Sequence, residues 1–207
     1  VKANWKTCLD AFMEVYHAPT IHKDTVNILL DGNAMVAGLL KNGHSRMVTP
    51  KKMNLDGGFL GAEEADYVPY IETCDKIHAQ TNVAYGMFPN FITPTDTSGY
   101  PAILFWPKGL KETEFEWTQL APKWPGNEKP DYWNEQEVSF DSIMDEDFQN
   151  LEPMQRSHDS GVFESMPLNY QERRIYYYHQ VIDDWIGREN LPESIQVPNV
   201  LDPFIEA

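Results

Sequence analysis

The 207 residues carry 32 acidic against 16 basic side chains, a formal net charge of −16, and such a surface repels a phosphate backbone, which argues against nucleic acid as a partner. The length suits one sizeable core and a single domain over residues 1–207, while no apolar run reaches the length of a membrane span and no signal-peptide pattern opens the chain. Two cysteines, Cys8 and Cys74, are too few for a secreted disulfide framework, so both are expected in helices as reduced thiols of a cytoplasmic protein.

Val1 opens the chain and a helix follows almost at once, so a piece of something longer or a processed product is expected. Trp5, Cys8, Leu9, Phe12 and Tyr16 recur at helical spacing, predicting one amphipathic helix that ends near His17. Glu14 and His17 are then neighbours one turn apart, which suits Glu14 to hydrogen-bonding a ligand histidine. Pro19 disfavours helical geometry at Ala18 and ends the helix, so a turn brings His22 back towards His17. Two imidazoles held by a helix end and a turn make a candidate metal half-site.

Residues 24–49 read as strands. Thr25–Leu30 ends at the turn signal Asp31-Gly32-Asn33, Ala34–Leu40 stops at Asn42-Gly43, and Ser45–Thr49 makes a third. Residues 50–67 read as loop, and Tyr70, Ile71, Cys74 and Ile77 predict a short helix reaching about residue 79. Strands follow at 81–88, 91–93, 102–106 and 113–120. The last alternates polar with apolar as a half-solvated antiparallel strand does. Residues 121–132 are a Pro-, Lys- and Gly-rich surface loop.

From about Trp133 to Met154 the pattern is helical again, with Met144, Leu151 and Gln155 on one stripe. Asp147 belongs to that stripe, and a lone carboxylate on an apolar face needs compensation, for which a metal ion is favoured. Asp145 and Glu146 fall off the stripe and are expected in solvent. A last helix spans about Tyr170 to Ile186, with Gly187 at its end. His44, His78, His158 and His179 read as satisfied core or surface histidines. His17, His22 and Asp147 thus make a 2-His-1-carboxylate set with open positions, which favours non-haem Fe(II) with O2 as co-substrate. Six Trp, ten Tyr and ten Phe are enough to line an apolar substrate cavity beside it.

These motifs in combination resemble the catalytic domain of the α subunit of Rieske-type ring-hydroxylating oxygenases. The resemblance rests on N-W-K at the start, D-x-F-x-E-x-Y-H-x4-H from Asp10 to His22, E-D-F-x3-E-x2-Q-R from Glu146 to Arg156, Phe88-Pro89-Asn90, Phe105-Trp106-Pro107, and Y-H-x2-I-D from Tyr178 to Asp183. It implies an α+β helix-grip (Bet v1/START-like) fold, an antiparallel sheet wrapped about helices. It also implies His17, His22 and Asp147 as iron ligands, with Glu14 as the carboxylate linking a ligand histidine to a neighbouring subunit's Rieske cluster. The implied reaction is hydroxylation or dihydroxylation of a small apolar, aromatic substrate. NAD(P)H would supply electrons through a reductase, with or without a ferredoxin, to a [2Fe–2S] cluster in a homotrimer. Two departures stand out. Asp10-Ala11 occupies the place where the family usually has Glu-Asn, and neither cysteine lies in a Rieske-type Cys/His motif, so the N-terminal Rieske domain is absent from this chain. Two other readings compete: a metal-independent helix-grip carrier of a hydrophobic ligand, and a zinc hydrolase, for which no H-E-x-x-H is present.

Overall fold

The computed structural model describes residues 1–52, 69–163 and 165–206. The architecture is α+β, of the helix-grip type. Seven strands form one sheet in the order β6-β5-β4-β3-β2-β1-β7. They are β1 (Val36–Leu40), β2 (Ser45–Pro50), β3 (Thr81–Met87), β4 (Phe91–Thr95), β5 (Tyr100–Gly109), β6 (Glu112–Leu120) and β7 (Ile205–Glu206). Successive neighbours from β1 to β6 pair antiparallel, whereas β7 adds in parallel along β1.

The helices are α1 (Trp5–Asp10), α2 (Val26–Leu29), α3 (Lys76–Gln80), α4 (Asp131–Asp159) and α5 (Arg173–Ile186). Side chains of α1, α4 and α5 meet one face of the sheet. Cys8 and Leu9, Leu151, and Ile175, Tyr178 and Ile182 form one buried cluster with Ile92, Ile103 and Phe105 of β4 and β5. A second cluster joins Val15 and Ala18 to Met35, Ala37, Met47 and Ala84, so the chain between α1 and α2 lies against the middle strands. Helix α4 has 29 residues and, at 1.5 Å per residue, runs roughly 43 Å. No helix of the described residues is long and apolar enough to cross a membrane.

The strands from β1 to β6, the long helix and the closing helix follow the sequence expectations to within a few residues, whereas β7 was not expected. Gly187 ends α5 with a positive φ of 87°, the backbone geometry that glycine adopts without steric cost. Asn42 and Gly43 also take positive φ, 61° and 81°, at the β1–β2 turn.

Four expectations are corrected. The first helix stops at Asp10 and does not reach His17. Arg174 donates to the Met13 carbonyl and the Glu14 carboxylate accepts from the Tyr16 and His17 N–H groups, so both ends of the would-be helical ladder are taken by side chains. Tyr16, expected in the buried stripe, is consequently 61% exposed. Second, Thr25–Leu30 is not a strand but contains the single turn α2, because Asn27 N–H bonds back to the His22 carbonyl and Thr25 Oγ1 donates to Glu146. Third, helix α3 begins only at Lys76, where the Asp75 side chain caps the His78 N–H at 3.0 Å. Cys74 therefore precedes the helix, while Cys8 sits in α1, and both thiols are free. Fourth, Glu146 is not free in solvent, as the site shows. The loop expected at 50–67 falls largely on residues 53–68, which lie outside the described residues.

Candidate metal centre

Three side chains from two stretches of chain converge on one point. The 14–22 segment is a series of tight turns, with Ile21 N–H on the His17 carbonyl at 2.9 Å and His22 N–H on the Ala18 carbonyl at 3.1 Å. It therefore carries His17 and His22 with ring centroids 5.0 Å apart. Asp147 faces them from α4 and is buried. Its Oδ1 lies 3.6 Å from His17 Nε2 and 3.2 Å from His22 Nε2, and one ligand atom from each of the three residues lies within 4.8 Å of the others.

Each imidazole is held from behind by a carboxylate on its other nitrogen. Glu14 Oε1 bonds His17 Nδ1, and Glu146 Oε2 bonds His22 Nδ1 at 2.6 Å while accepting from Thr25 Oγ1 at 2.8 Å. A carboxylate at Nδ1 keeps the proton there and leaves the Nε2 lone pair for the centre. Two such lone pairs and a carboxylate aimed at one point call for a cation between them. Donors about 2.1 Å from a common ion at right angles stand about 3 Å apart, close to the 3.6 and 3.2 Å between Asp147 and the two histidines, so the residues fit a divalent transition metal held on one face. Burial alone would push the pKa of His22 down, but hydrogen bonds and charge from Asp147 and Glu146 outweigh it and raise it.

Behind Glu14 lies Arg174, fully buried on α5. Its guanidinium donates to the Met13 carbonyl at 3.0 Å, to Ser45 Oγ at 3.0 Å and to the Ala84 carbonyl at 3.4 Å. Burial pushes its pKa down to about 9, with the Glu14 charge acting the other way, so it stays a cation at neutral pH. All of its hydrogen-bond partners are neutral, so this cation both pins the turn carrying Glu14 and places positive charge near that carboxylate.

On the open side of the three donors is a cavity of about 160 Å³. Its wall is mostly apolar, with Val15, Leu30, Met47, Ala84, Ile92 and Met144 around the donors, and it also includes Glu14, His17, His22 and Asp147 themselves. Ala11, at the family's usual amide position, lines it too. Asp10 beside it turns away and pairs with His179 Nε2 at 3.0 Å, which gives that histidine a structural partner. His44 accepts from the Phe88 N–H at 3.0 Å and His78 pairs with Asp75 at 2.8 Å.

Sequence reasoning brought His17, His22, Asp147 and Glu14 together, and the structure places all four at one centre. It missed Glu146 and Arg174. For Glu146 the only signal was an acid adjoining Asp147, because its partners are 121 and 124 residues away. Arg174 did carry a signal: it precedes Tyr178 by four and so shares the buried stripe of α5.

Residues 1–188 match the family described as "Ring hydroxylating alpha subunit (catalytic domain)". Among solved structures, the chain is similar to the quaternary ammonium Rieske monooxygenase CntA in complex with an inhibitor, with a TM-score of 0.65 at 15% identity. That match covers 90% of this chain and 47% of CntA, so the chain spans about half of that protein's length. No curated protein sequence matches it. With the fold and 188 matched residues in agreement, the chain belongs to the family of catalytic domains of ring-hydroxylating oxygenase α subunits.

Proposed function

We propose that His17 Nε2, His22 Nε2 and an Asp147 carboxylate oxygen hold one Fe(II), and that an apolar substrate in the adjoining cavity is hydroxylated or dihydroxylated beside it. The observation that carries this is the convergence of three donor atoms, with both Nδ1 positions carboxylate-bound, at the wall of an apolar cavity. Iron bound there would supply the redox-active centre that O2 activation requires.

The chain's own residues do the rest. Glu14 and Glu146 retain the Nδ1 protons and fix both imidazole planes. The apolar wall excludes bulk water and holds the substrate against the open positions. Electrons have to arrive from outside these residues, because a Rieske cluster takes its two cysteines and two histidines from paired Cys/His motifs, and neither Cys8 nor Cys74 lies in a Cys-x-His or Cys-x-x-His arrangement. The reading therefore calls for NAD(P)H, a reductase with or without a ferredoxin, and a [2Fe–2S] cluster presented near Glu14, as in a homotrimer. Tyr16, exposed beside Glu14, leaves that edge of the site open to such a neighbour.

Anaerobic Fe(II) titration tests the centre. Roughly one iron per chain is expected in the parent, and loss of binding in both His17→Ala and Asp147→Ala with the fold retained by circular dichroism. Undiminished iron in Asp147→Ala would sink the assignment.

A further inference from the structure

The cavity is longer than the metal centre needs. It follows one face of α4, along Asp147, Met144, Ile143, Phe140, Gln136 and Trp133, all of which line it. Their spacing of three and four keeps them on a single stripe, and 14 residues at 1.5 Å each separate its two ends by about 21 Å of helix. The wall near Asp147 is apolar, whereas the Trp133 end is not.

At that end the Asp96–Gly99 turn between β4 and β5 meets the start of α4. A Cβ placed on Gly99 would lie 3.3 Å from the Trp133 ring, and Tyr132 hydrogen-bonds Ser98 and feels the Asp96 charge. Two polar atoms here are shielded from solvent and have no hydrogen-bond partner among the described residues, Asp96 Oδ2 and Trp133 Nε1. Both residues line the cavity and both are more than nine-tenths buried. Buried polar atoms are rarely left unpaired, and such an exception invites a ligand or ion as the missing partner. One of these is an acceptor and the other a donor.

The charge at this end is balanced. Asp96 Oδ1 is 3.3 Å from Lys51 Nζ with both side chains buried, and it also accepts from the Thr97 N–H and hydroxyl. A cationic group would therefore meet a carboxylate already neutralised, and an anion would meet a carboxylate. A neutral group that both donates and accepts has the chemistry that answers both atoms.

We infer that this end of the cavity is a recognition subsite for a neutral hydrogen-bonding head group, a hydroxyl or carboxamide, which donates to Asp96 Oδ2 and accepts from Trp133 Nε1. The substrate class is then an apolar, aromatic body with such a polar head held away from the reacting end. The inference rests on the proposed iron centre only for which end of the ligand reacts.

The test is equilibrium binding of p-phenylphenol, biphenyl and p-phenylbenzylammonium to the purified chain, to Trp133→Phe and to Asp96→Asn, by calorimetry. The parent is expected to prefer the phenol over biphenyl by roughly tenfold or more, the worth of one or two net hydrogen bonds, and over the ammonium as well. Trp133→Phe keeps the ring and removes the N–H, so it should bring the phenol to within a few-fold of biphenyl, and Asp96→Asn should do the same if it folds. Equal affinities in the parent, a preference for the ammonium, no binding of any probe, or a preference unchanged in Trp133→Phe would overturn the subsite. Fe(II) titration of the same samples separates the two readings. Iron bound without the phenol preference removes the subsite alone, and the phenol preference without iron removes the iron centre alone.

Discussion

At the centre, each histidine is defined as much by the carboxylate behind it as by the position in front. Glu146 gives a sharp case, since it touches no open position yet holds the His22 ring through Nδ1. Glu146→Gln should fold normally and weaken Fe(II) binding by about 10- to 100-fold, the usual cost of losing such an outer partner, measured by competition with a chelator. Glu14→Gln should have a smaller effect on iron, because the backbone turn that positions His17 is also held by Arg174. The pKa of His22 supplies a pH prediction for the metal-free chain. It is raised in the fold, so its contribution to stability is complete below the ordinary histidine value of about 6.5 and is lost as pH rises through the folded value. The thermal-stability gap between parent and His22→Gln should therefore be wider at acidic than at alkaline pH; an unchanged gap would contradict it. His17, His22 and Asp147 were legible in the sequence because proline, helical stripe and residue type each carry local information. Glu146 was not, because its pairing with His22 exists only once α4 has docked.

The same division appears among the elements. The strands from β1 to β6, α4 and α5 were visible as periodicity, since each buries one face. Between Asp10 and Leu30 the turn that brings His22 back to His17 was legible, but the helix expected up to His17 and the strand expected over Thr25–Leu30 were not formed, because the conformation on either side of the turn is decided by distant side chains. Arg174 takes the Met13 carbonyl, and Glu146 takes Thr25 and His22. Arg174→Met should accordingly leave carbonyls unpaired in the interior, lowering stability by at least about 1–3 kcal/mol and loosening the turn that carries Glu14. Chemical denaturation of the metal-free protein measures the first, and amide exchange at residues 14–17 the second. The β1–β2 turn is similarly constrained. Gly43 has a φ of 81°, and a Cβ there would sit 2.9 Å from both Phe88 Cδ2 and Val181 Cγ1. Gly43→Ala should lower the denaturation midpoint, by roughly 1–3 kcal/mol of strain, with little effect on iron binding because the turn is remote from the donors.

For the whole molecule, the donors sit at the wall of an apolar cavity that Glu14 also lines, with the exposed Tyr16 two residues from it. Under the proposed function, one carboxylate therefore borders both the substrate's space and the route by which electrons enter. In the full-length oxygenase, Glu14→Gln should keep iron and the Rieske cluster but slow NAD(P)H-coupled product formation, measured as product formed per NAD(P)H consumed; unchanged coupling would remove Glu14 from the electron route. The family resemblance was legible because its motifs are short and local, whereas the cavity's polar end was not. Asp96 and Trp133 are 37 positions apart in sequence, and neither is unusual until the Asp96–Gly99 turn meets α4.

Helix α4 carries two kinds of residue on successive turns of one rod. Glu146 and Asp147 belong to the candidate metal centre, while Trp133, Gln136, Phe140 and Ile143 line the cavity beside it. Replacing a residue two or more turns before Asp147 alters the mould without touching the ligand set, and the stiffness of the helix keeps the register between them. Under the proposed function, the choice of substrate can therefore change while the ligand set stays fixed, and an engineer seeking a new substrate would begin at residues 133, 136 and 140.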